Sequence, residues 1–208
     1  MNKICFNSIA LVMGFFIATI SFGETNQNIE IATHFKSIGA DVHINKKGQL
    51  RSLTIMQSTK VKESDLVYLS NMPFLVNLEI QNAFLEDEMV KNYIQSIHTL
   101  EVLILSDTNI SDTSLKYIGT MINLSDLDLS STRITDDGLK DLAGLKNLSG
   151  LKLNHTKITD KGLVHLEKIT SLEEISLLDT KITAEGGKKL EKALKATVRW
   201  RNSHYSHD

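Results

Sequence analysis

The sequence has almost no cysteine or proline, since each occurs once in 208 residues. The cysteine, Cys5, lies near the start, so the rest of the chain has no thiol for a disulfide or for nucleophilic attack. One proline and eleven glycines leave no room for a long flexible linker. Aromatic residues make up only 6%, whereas hydrophobic residues reach 41%. The composition therefore predicts one domain, or a short array of repeats, with an aliphatic core.

Strong charge and catalytic signatures are also missing. The formal charge of −2 argues against an electrostatic nucleic-acid binder. The sequence contains no G-x-S-x-G motif and no phosphate-binding loop. The seven histidines are dispersed, and the H-x-x-H pair His204 and His207 lies in a polar tail that would hold a transition metal only loosely. We therefore expect no enzymatic activity, no resident metal and no cofactor.

The N-terminus carries a hydrophobic segment. Lys3 precedes the apolar run ICFNSIALVMGFFIATI, and Ser21, Phe22 and Gly23 follow it. A positive start, an apolar middle and small residues at a cut site are typical of a secretory signal peptide. The alternative is an uncleaved membrane anchor, since the run is near the lower limit of about 17 residues for a spanning helix. The pattern favours cleavage after Gly23 and predicts an exported protein, either periplasmic or secreted.

One motif recurs three times in the second half of the chain. It reads LSDLDLSSTRITDDGLKDLAGLKN, then LSGLKLNHTKITDKGLVHLEKITS, then LEEISLLDTKITAEGGKKLEKALK. The copies begin at Leu124, Leu148 and Leu172, which gives a period of 24 residues. Fixed self-similarity of this length predicts a solenoid, in which each repeat lacks a core of its own and must stack on its neighbours.

Looser copies extend the array towards the N-terminus. They begin at Leu50, Leu75 and Leu100. Before them, a helical pattern from Ile31 to Ile38 and two short strands around the turn 45–48 predict a cap over the first copy. We therefore expect a signal peptide at 1–23, an N-terminal cap at 24–49, about six repeats with a terminal strand at 50–200, and a disordered tail at 201–208.

Each position of the repeat has an expected structural role. In L-x-x-L-x-L the second and third leucines alternate along a short strand and point into the core. The threonine of T-x-I, for example Thr132, is expected to bond neighbouring backbone groups as a ladder along the solenoid. The next pair, as in Thr135 and Asp136, is a candidate N-cap for a helix on the convex side. The glycines Gly138 and Gly162 are expected to let that turn approach the next coil.

The full pattern, L-x-x-L-x-L-x-x-T-x-I-T-D-x-G-L, resembles the leucine-rich repeat family. The resemblance implies an α/β solenoid shaped as a horseshoe, with short parallel strands on the concave face and helices on the convex face. The T-K-I-T-D-x-G-L phrasing is similar to repeats of bacterial exported proteins and of F-box substrate receptors. A signal-like segment stands before these repeats instead of an F-box helix bundle, so we expect no ubiquitin-ligase role.

The concave face is the candidate binding site. Six strands about 4.8 Å apart give a surface roughly 30 Å wide. Val102 and Ile104 are apolar where the fold demands no apolar residue, and one lysine accompanies six acidic residues. An apolar spot rimmed by carboxylates is typical of a protein-binding face, and the alternative is a solvated acidic face. The predicted binding residues are Glu79, Val102, Ile104, Asp107, Asp126, Asp128, Lys152, His155, Glu174 and Asp179.

Two functions fit these observations. The favoured one is a non-catalytic binding module that holds a protein partner on the concave face. The alternative is a structural or envelope-associated protein, or a secreted host-directed effector, whose contacts lie on the convex helices or the edges. Neither function requires nucleic acid, and neither requires a membrane once the signal peptide is removed.

Overall fold

A computed structural model describes the backbone of residues 23–56 and 61–200, with side chains from Gln27 onward except that of Asn71. The predicted tail at 201–208 and all but the last residue of the predicted signal peptide lie outside the described residues. Within the described part, no helix combines the length and the apolar character needed to cross a membrane.

One eight-stranded sheet runs through the described chain. The first two strands pair in antiparallel fashion, and each later strand is parallel to the one before it. Adjacent copies align residue for residue, so that Leu78 pairs with Leu103, Leu103 with Leu127, and Leu127 with Leu151. The strands are β1 (Asp41–Ile44), β2 (Leu50–Met56), β3 (Asn77–Gln81), β4 (Val102–Ile104), β5 (Asp126–Asp128), β6 (Gly150–Lys152), β7 (Glu174–Ser176) and β8 (Thr197–Arg199).

The second part of each copy forms a short helix on the other side of the core. These helices are brief because 24 residues must also supply a strand and two turns. The α-helices are α1 (Gly23–Ser37) before the copies, then α2 (Glu63–Leu66), α3 (Asp87–Met89), α4 (Asp112–Ile118), α5 (Leu163–Leu166) and α6 (Ala184–Leu194). The other helices are 3₁₀-helices at Val67–Asn71 and Leu139–Gly144 and a π-helix at Val90–Ile94.

The π-helix accommodates an extra residue. The second copy, from Leu75 up to Leu100, is one residue longer than the regular copies. A π turn takes up an added residue through an i→i+5 hydrogen bond, and the Gln95 N–H donates to the Val90 carbonyl at 3.0 Å. The insertion is therefore absorbed on the convex side, and the pairing of β3 with β4 is preserved.

Aliphatic side chains fill the space between the sheet and the helices. The inward leucines Leu129 and Leu153 are 0% exposed in adjacent copies, whereas Lys152 points to solvent. One continuous apolar cluster joins the cap and every copy. Burial of a leucine side chain contributes about 1.5–3 kcal/mol, and in this fold each copy obtains that burial from its neighbours as well as from itself.

The N-terminal cap consists of α1 and the β1–β2 hairpin. α1 starts at Gly23, earlier than the apolar pattern from Ile31 indicated, because polar residues extend the helix and Asn28 packs inside it. Gly39 ends this segment with φ +95°, and Gly48 has φ +75° in the hairpin turn. Both glycines adopt the left-handed conformation that such turns require.

A ladder of aspartates joins successive copies. The two carboxylate oxygens of Asp136 accept hydrogen bonds from the Thr159 backbone N–H at 2.8 Å and from its hydroxyl at 2.6 Å. The ladder also joins Asp87 to Ser111, Asp112 to Thr135, and Asp160 to Thr183. The aspartate of the motif therefore binds the following copy.

The two residues of the predicted N-cap pair have different roles. The Ser111 hydroxyl caps α4, as the sequence predicted for this pair, and Thr183 caps α6 in the same way. The aspartate of the pair has a different role, because its carboxylate accepts hydrogen bonds from the backbone N–H and the hydroxyl of the next copy.

The motif glycine makes room for the ladder. A methyl group on Gly162 would overlap the Asp136 carboxylate, so this position has no space for a side chain. We expected the glycine to let its turn lie close to the next copy. That direction was wrong, because Gly162 contacts the preceding copy. The equivalent pairs are Gly138 with Asp112 and Gly186 with Asp160.

The first rung of the ladder carries an additional bond. Ser114 replaces the glycine of the motif, and its hydroxyl donates to Asp87 at 2.5 Å. Partial burial acts to raise the pKa of Asp87, but hydrogen bonds from Ser111 and Ser114 outweigh it, so that the pKa lies below its ordinary value. Asp87 is therefore an ionised acceptor at neutral pH. In the last copy Ala184 replaces the aspartate.

The threonine of T-x-I makes a local bond. The Thr132 hydroxyl donates to the Leu129 carbonyl at 2.6 Å. The predicted bond from the hydroxyl to a neighbouring backbone group is confirmed, and it closes the turn within its own copy instead of joining two copies. The other copies show the same bond from Thr108 to Leu105, from Thr156 to Leu153 and from Thr180 to Leu177.

Gly162→Ala tests the link between the glycine and the aspartate ladder. The added methyl group should destabilise the protein by about 1–3 kcal/mol through overpacking. Asp136→Ala should cost about 1–3 kcal/mol through the two lost bonds. The double variant should be more stable than the sum of the single effects predicts, by about 0.5–3 kcal/mol. Chemical denaturation of the four proteins measures this, and strict additivity would show that the glycine does not serve Asp136.

Candidate binding face

Six of the predicted binding residues line one open hollow on the sheet. The hollow has a volume of 230 Å³ and lies over β4 to β7, on the side of the sheet away from the helices. We call this side the concave face. The strand pairing brings these residues into two rows across the sheet. The six predicted residues are Val102, Ile104, Asp126, Asp128, Lys152 and Glu174.

Gly150 forms the floor of the hollow. It pairs with Asp126 on one side and with Glu174 on the other, so a residue without a side chain separates two carboxylates. The Asp126 carboxylate accepts a hydrogen bond from the Ser125 hydroxyl at 2.8 Å and leans over Gly150, where a methyl group would overlap it. The hollow therefore exists because this copy has a glycine at a strand position.

The charges around the hollow are partly paired. Asp128 accepts a hydrogen bond from the Ser130 N–H at 2.9 Å and lies 3.7 Å from the Lys152 ammonium group. Glu174 forms an ion pair with Arg199 at 3.0 Å. With Asp126, three carboxylates stand against two cations, so the hollow stays formally negative. Because of these cations, the face is less negative than the six acidic residues and one lysine of the sequence analysis indicated.

An aliphatic shelf adjoins the carboxylates. Val102 and Ile104 are half-buried and project from β4 on the concave face. Val102 pairs with Asp126, and Ile104 pairs with Asp128, so that apolar and acidic side chains lie one strand apart. A shelf of this kind can bury part of an aliphatic group while the neighbouring carboxylates bind a cation.

The other four predicted residues lie outside the hollow. Glu79 on β3 accepts hydrogen bonds from the Thr54 hydroxyl at 2.9 Å and from the Gln81 side chain. The remaining three, Asp107, His155 and Asp179, follow the strands at one edge.

That edge has a left-handed residue in each copy from the second to the sixth. Their φ angles lie between 47° and 56°. The small or polar side chains at this position tolerate the conformation better than β-branched residues would. The His155 Nδ1 atom lies 3.3 Å from the Asp179 carboxylate. The backbone N–H of His155 donates to the Leu178 carbonyl. The five residues are Asn82, Asp107, Ser131, His155 and Asp179.

The sequence reasoning missed two residues of this site. Arg199 was not assigned to it, although Val198 points inward and strand alternation places Arg199 on the opposite side. Gly150 was not assigned a role either, because its effect depends on how far the Asp126 side chain leans across to the neighbouring strand. In the described part of the chain, no three His, Cys, Asp or Glu side chains gather as a metal site would require.

Comparison with known proteins identifies the fold. The sequence model of the family described as Leucine Rich repeat matches residues 96–119 and 120–143. These two segments lie within a parallel sheet whose strands recur with every copy. The chain folds as a leucine-rich-repeat solenoid. No curated protein matches the sequence significantly.

Solved structures share the solenoid at low sequence identity. Internalin C2 from Listeria monocytogenes is 16% identical, with 86% of each chain covered and a TM-score of 0.52. Pollen Receptor Kinase 3 is 13% identical, with 86% of this chain and 99% of that chain covered and a TM-score of 0.51. At such identity the likeness concerns the fold alone, and it confirms the predicted α/β leucine-rich-repeat fold class.

A third structure was solved as a complex. The Arabidopsis receptor kinase HAESA, bound to the peptide hormone IDA and the co-receptor SERK1, is 16% identical. The alignment covers 84% of this chain and 33% of that chain, with a TM-score of 0.56. At this identity the likeness to the receptor kinase likewise concerns the fold alone.

Proposed function

We propose that this solenoid is a non-catalytic binding module that holds a protein partner on its concave face. The observation that carries the proposal is the hollow over Gly150, where an aliphatic shelf and a net negative rim lie side by side. The complementary partner segment presents an aliphatic side chain next to a lysine or an arginine.

The rigidity of the face supports this function. The strands pair in register, and the aspartate ladder joins the copies from the second to the sixth. A surface that is already ordered loses little conformational entropy on binding, so more of the contact energy becomes affinity. The complex of HAESA with a peptide hormone shows that another solenoid of this architecture takes a peptide partner.

The size of the face sets the extent of the interface. A standard protein partner covers about 800 Å² on each side. The strand residues around the hollow are too few for that area, so we expect the left-handed edge at Asp107, Ser131, His155 and Asp179 to contribute contacts. The proposed interface thus has all ten predicted residues in or beside it, with Glu79 at its far end.

Ile104→Asp tests the aliphatic shelf. Because burial of an aliphatic side chain contributes about 1.5–3 kcal/mol, the substitution should weaken binding by roughly ten-fold or more. The measurement is the affinity for a partner recovered with the wild-type protein, with circular dichroism as a control for folding. Ile122→Asp is the matched control, since Ile122 is 62% exposed and lies outside the concave hollow. Equal losses in both variants would remove the site from this face.

Charge reversal tests the acidic part separately. Asp126→Lys combined with Asp128→Lys should slow association with a basic partner, and added salt should weaken the wild-type complex more than the variant complex. Stopped-flow or surface-plasmon measurements at two salt concentrations give the association rates. A variant with the wild-type rate and salt response would show that the carboxylates do not meet the partner.

We also propose that the chain is exported and that its N-terminal segment is removed. The support is the signal-like pattern of Lys3, the apolar run and Ser21-Phe22-Gly23. Protein recovered from an export-competent cell should begin near Glu24 when its N-terminal residues are sequenced. Protein that retains Met1 in the membrane fraction would instead be an anchored form.

A further inference from the structure

A straight row of side chains runs along the rim of the sheet, outside the concave hollow. It consists of the tenth residue of each copy, counted from the first leucine. Phe84, in the second copy, is 67% exposed, and the three cations at the other end are also exposed. We call this set the rim row. Its members are Phe84, Asn109, Arg133, Lys157 and Lys181.

Backbone bonds between copies hold the cationic end of the rim row in line. The N–H groups of Arg133, Lys157 and Lys181 each donate to an isoleucine carbonyl of the preceding copy, at 3.0, 3.3 and 2.8 Å. Isolated parallel bridges occur at the same edge, as between Thr159 and Lys181. The side chains therefore follow the strand spacing of about 4.8 Å, and five positions span roughly 19 Å.

The lysines of the rim row carry uncompensated charge. Arg133 donates to the Asn109 side chain at 3.0 Å. Neither the Lys157 nor the Lys181 ammonium group has an ion pair or a hydrogen bond within the described residues. Three residues before Lys157 the sequence has an amide, Asn154. Three residues after it lies Asp160, whose carboxylate is bound to Thr183 in the ladder.

We propose that the rim row binds an anionic polysaccharide. One sugar ring would stack on the exposed Phe84 side chain, and carboxylate, sulfate or phosphate groups further along would pair with Arg133, Lys157 and Lys181. A linear polymer fits a row that is one residue wide. A flat anionic membrane fits less well, because the cations form a single line and not a patch that a planar surface could cover.

Binding of dextran sulfate to the full chain tests this proposal, with uncharged dextran of the same size as the reference. The wild-type protein should bind dextran sulfate and not dextran. Lys157→Glu with Lys181→Glu should weaken binding by about ten-fold or more, since each reversal replaces an attraction by a repulsion. Phe84→Ala should weaken it by about three-fold.

Matched controls separate the rim row from general charge. Lys140→Glu with Lys188→Glu changes the net charge equally on exposed helical residues, and binding should stay within about two-fold of wild type. Ile104→Asp should also bind dextran sulfate normally, so this result is independent of the concave-face proposal. Equal losses in both double variants, no binding by the wild type, or tighter binding to vesicles of anionic phospholipid would each overturn the proposal.

Discussion

The structure depends on one constraint: the leucines and the motif aspartate of a copy depend on the neighbouring copies. Its leucines need the neighbouring copies to exclude water, and its aspartate finds its hydrogen-bond donors only in the next copy. Asp136 needs Thr159 for its bonds and needs a glycine at position 162 for space. Because each carboxylate accepts at least two bonds from the next copy, a shift between copies would lose them and leave the charge unpaired. The ladder therefore fixes the register that the aliphatic core alone would leave loose.

This constraint also determines where function can reside. Every position of the repeat becomes a row along the solenoid, and the rows of leucine, isoleucine, threonine and aspartate are committed to the fold. The outward strand positions and the rim position are not, so their residues vary between copies. Gly150 between Asp126 and Glu174 opens a hollow, and Phe84 begins a row that ends in cations. Unusual residues at the outward strand positions and at the rim position therefore mark the candidate sites.

The period predicted most of the architecture, because identical spacing allows only one way to stack the strands. The inward leucines and the outward face followed from alternation along each strand. The direction of the polar contacts did not follow. Whether Asp112 reaches its own helix or Thr135 depends on the offset between copies, which no single repeat encodes. The hollow likewise depends on the lean of Asp126, and the Arg199–Glu174 pair joins the last strand to a copy before it.

The small net charge conceals two surfaces of opposite sign. Carboxylates predominate around the concave hollow, whereas the rim row ends in three cations. At physiological ionic strength charges are screened beyond about 8 Å, and the rim row is more than twice that long. A partner that approaches either surface therefore meets its local charge and not the average of the chain. The net charge of −2 limits long-range attraction of polyanions to the whole molecule. It sets no limit on a linear ligand that lies along the rim, because the spacing of the copies concentrates the cations there.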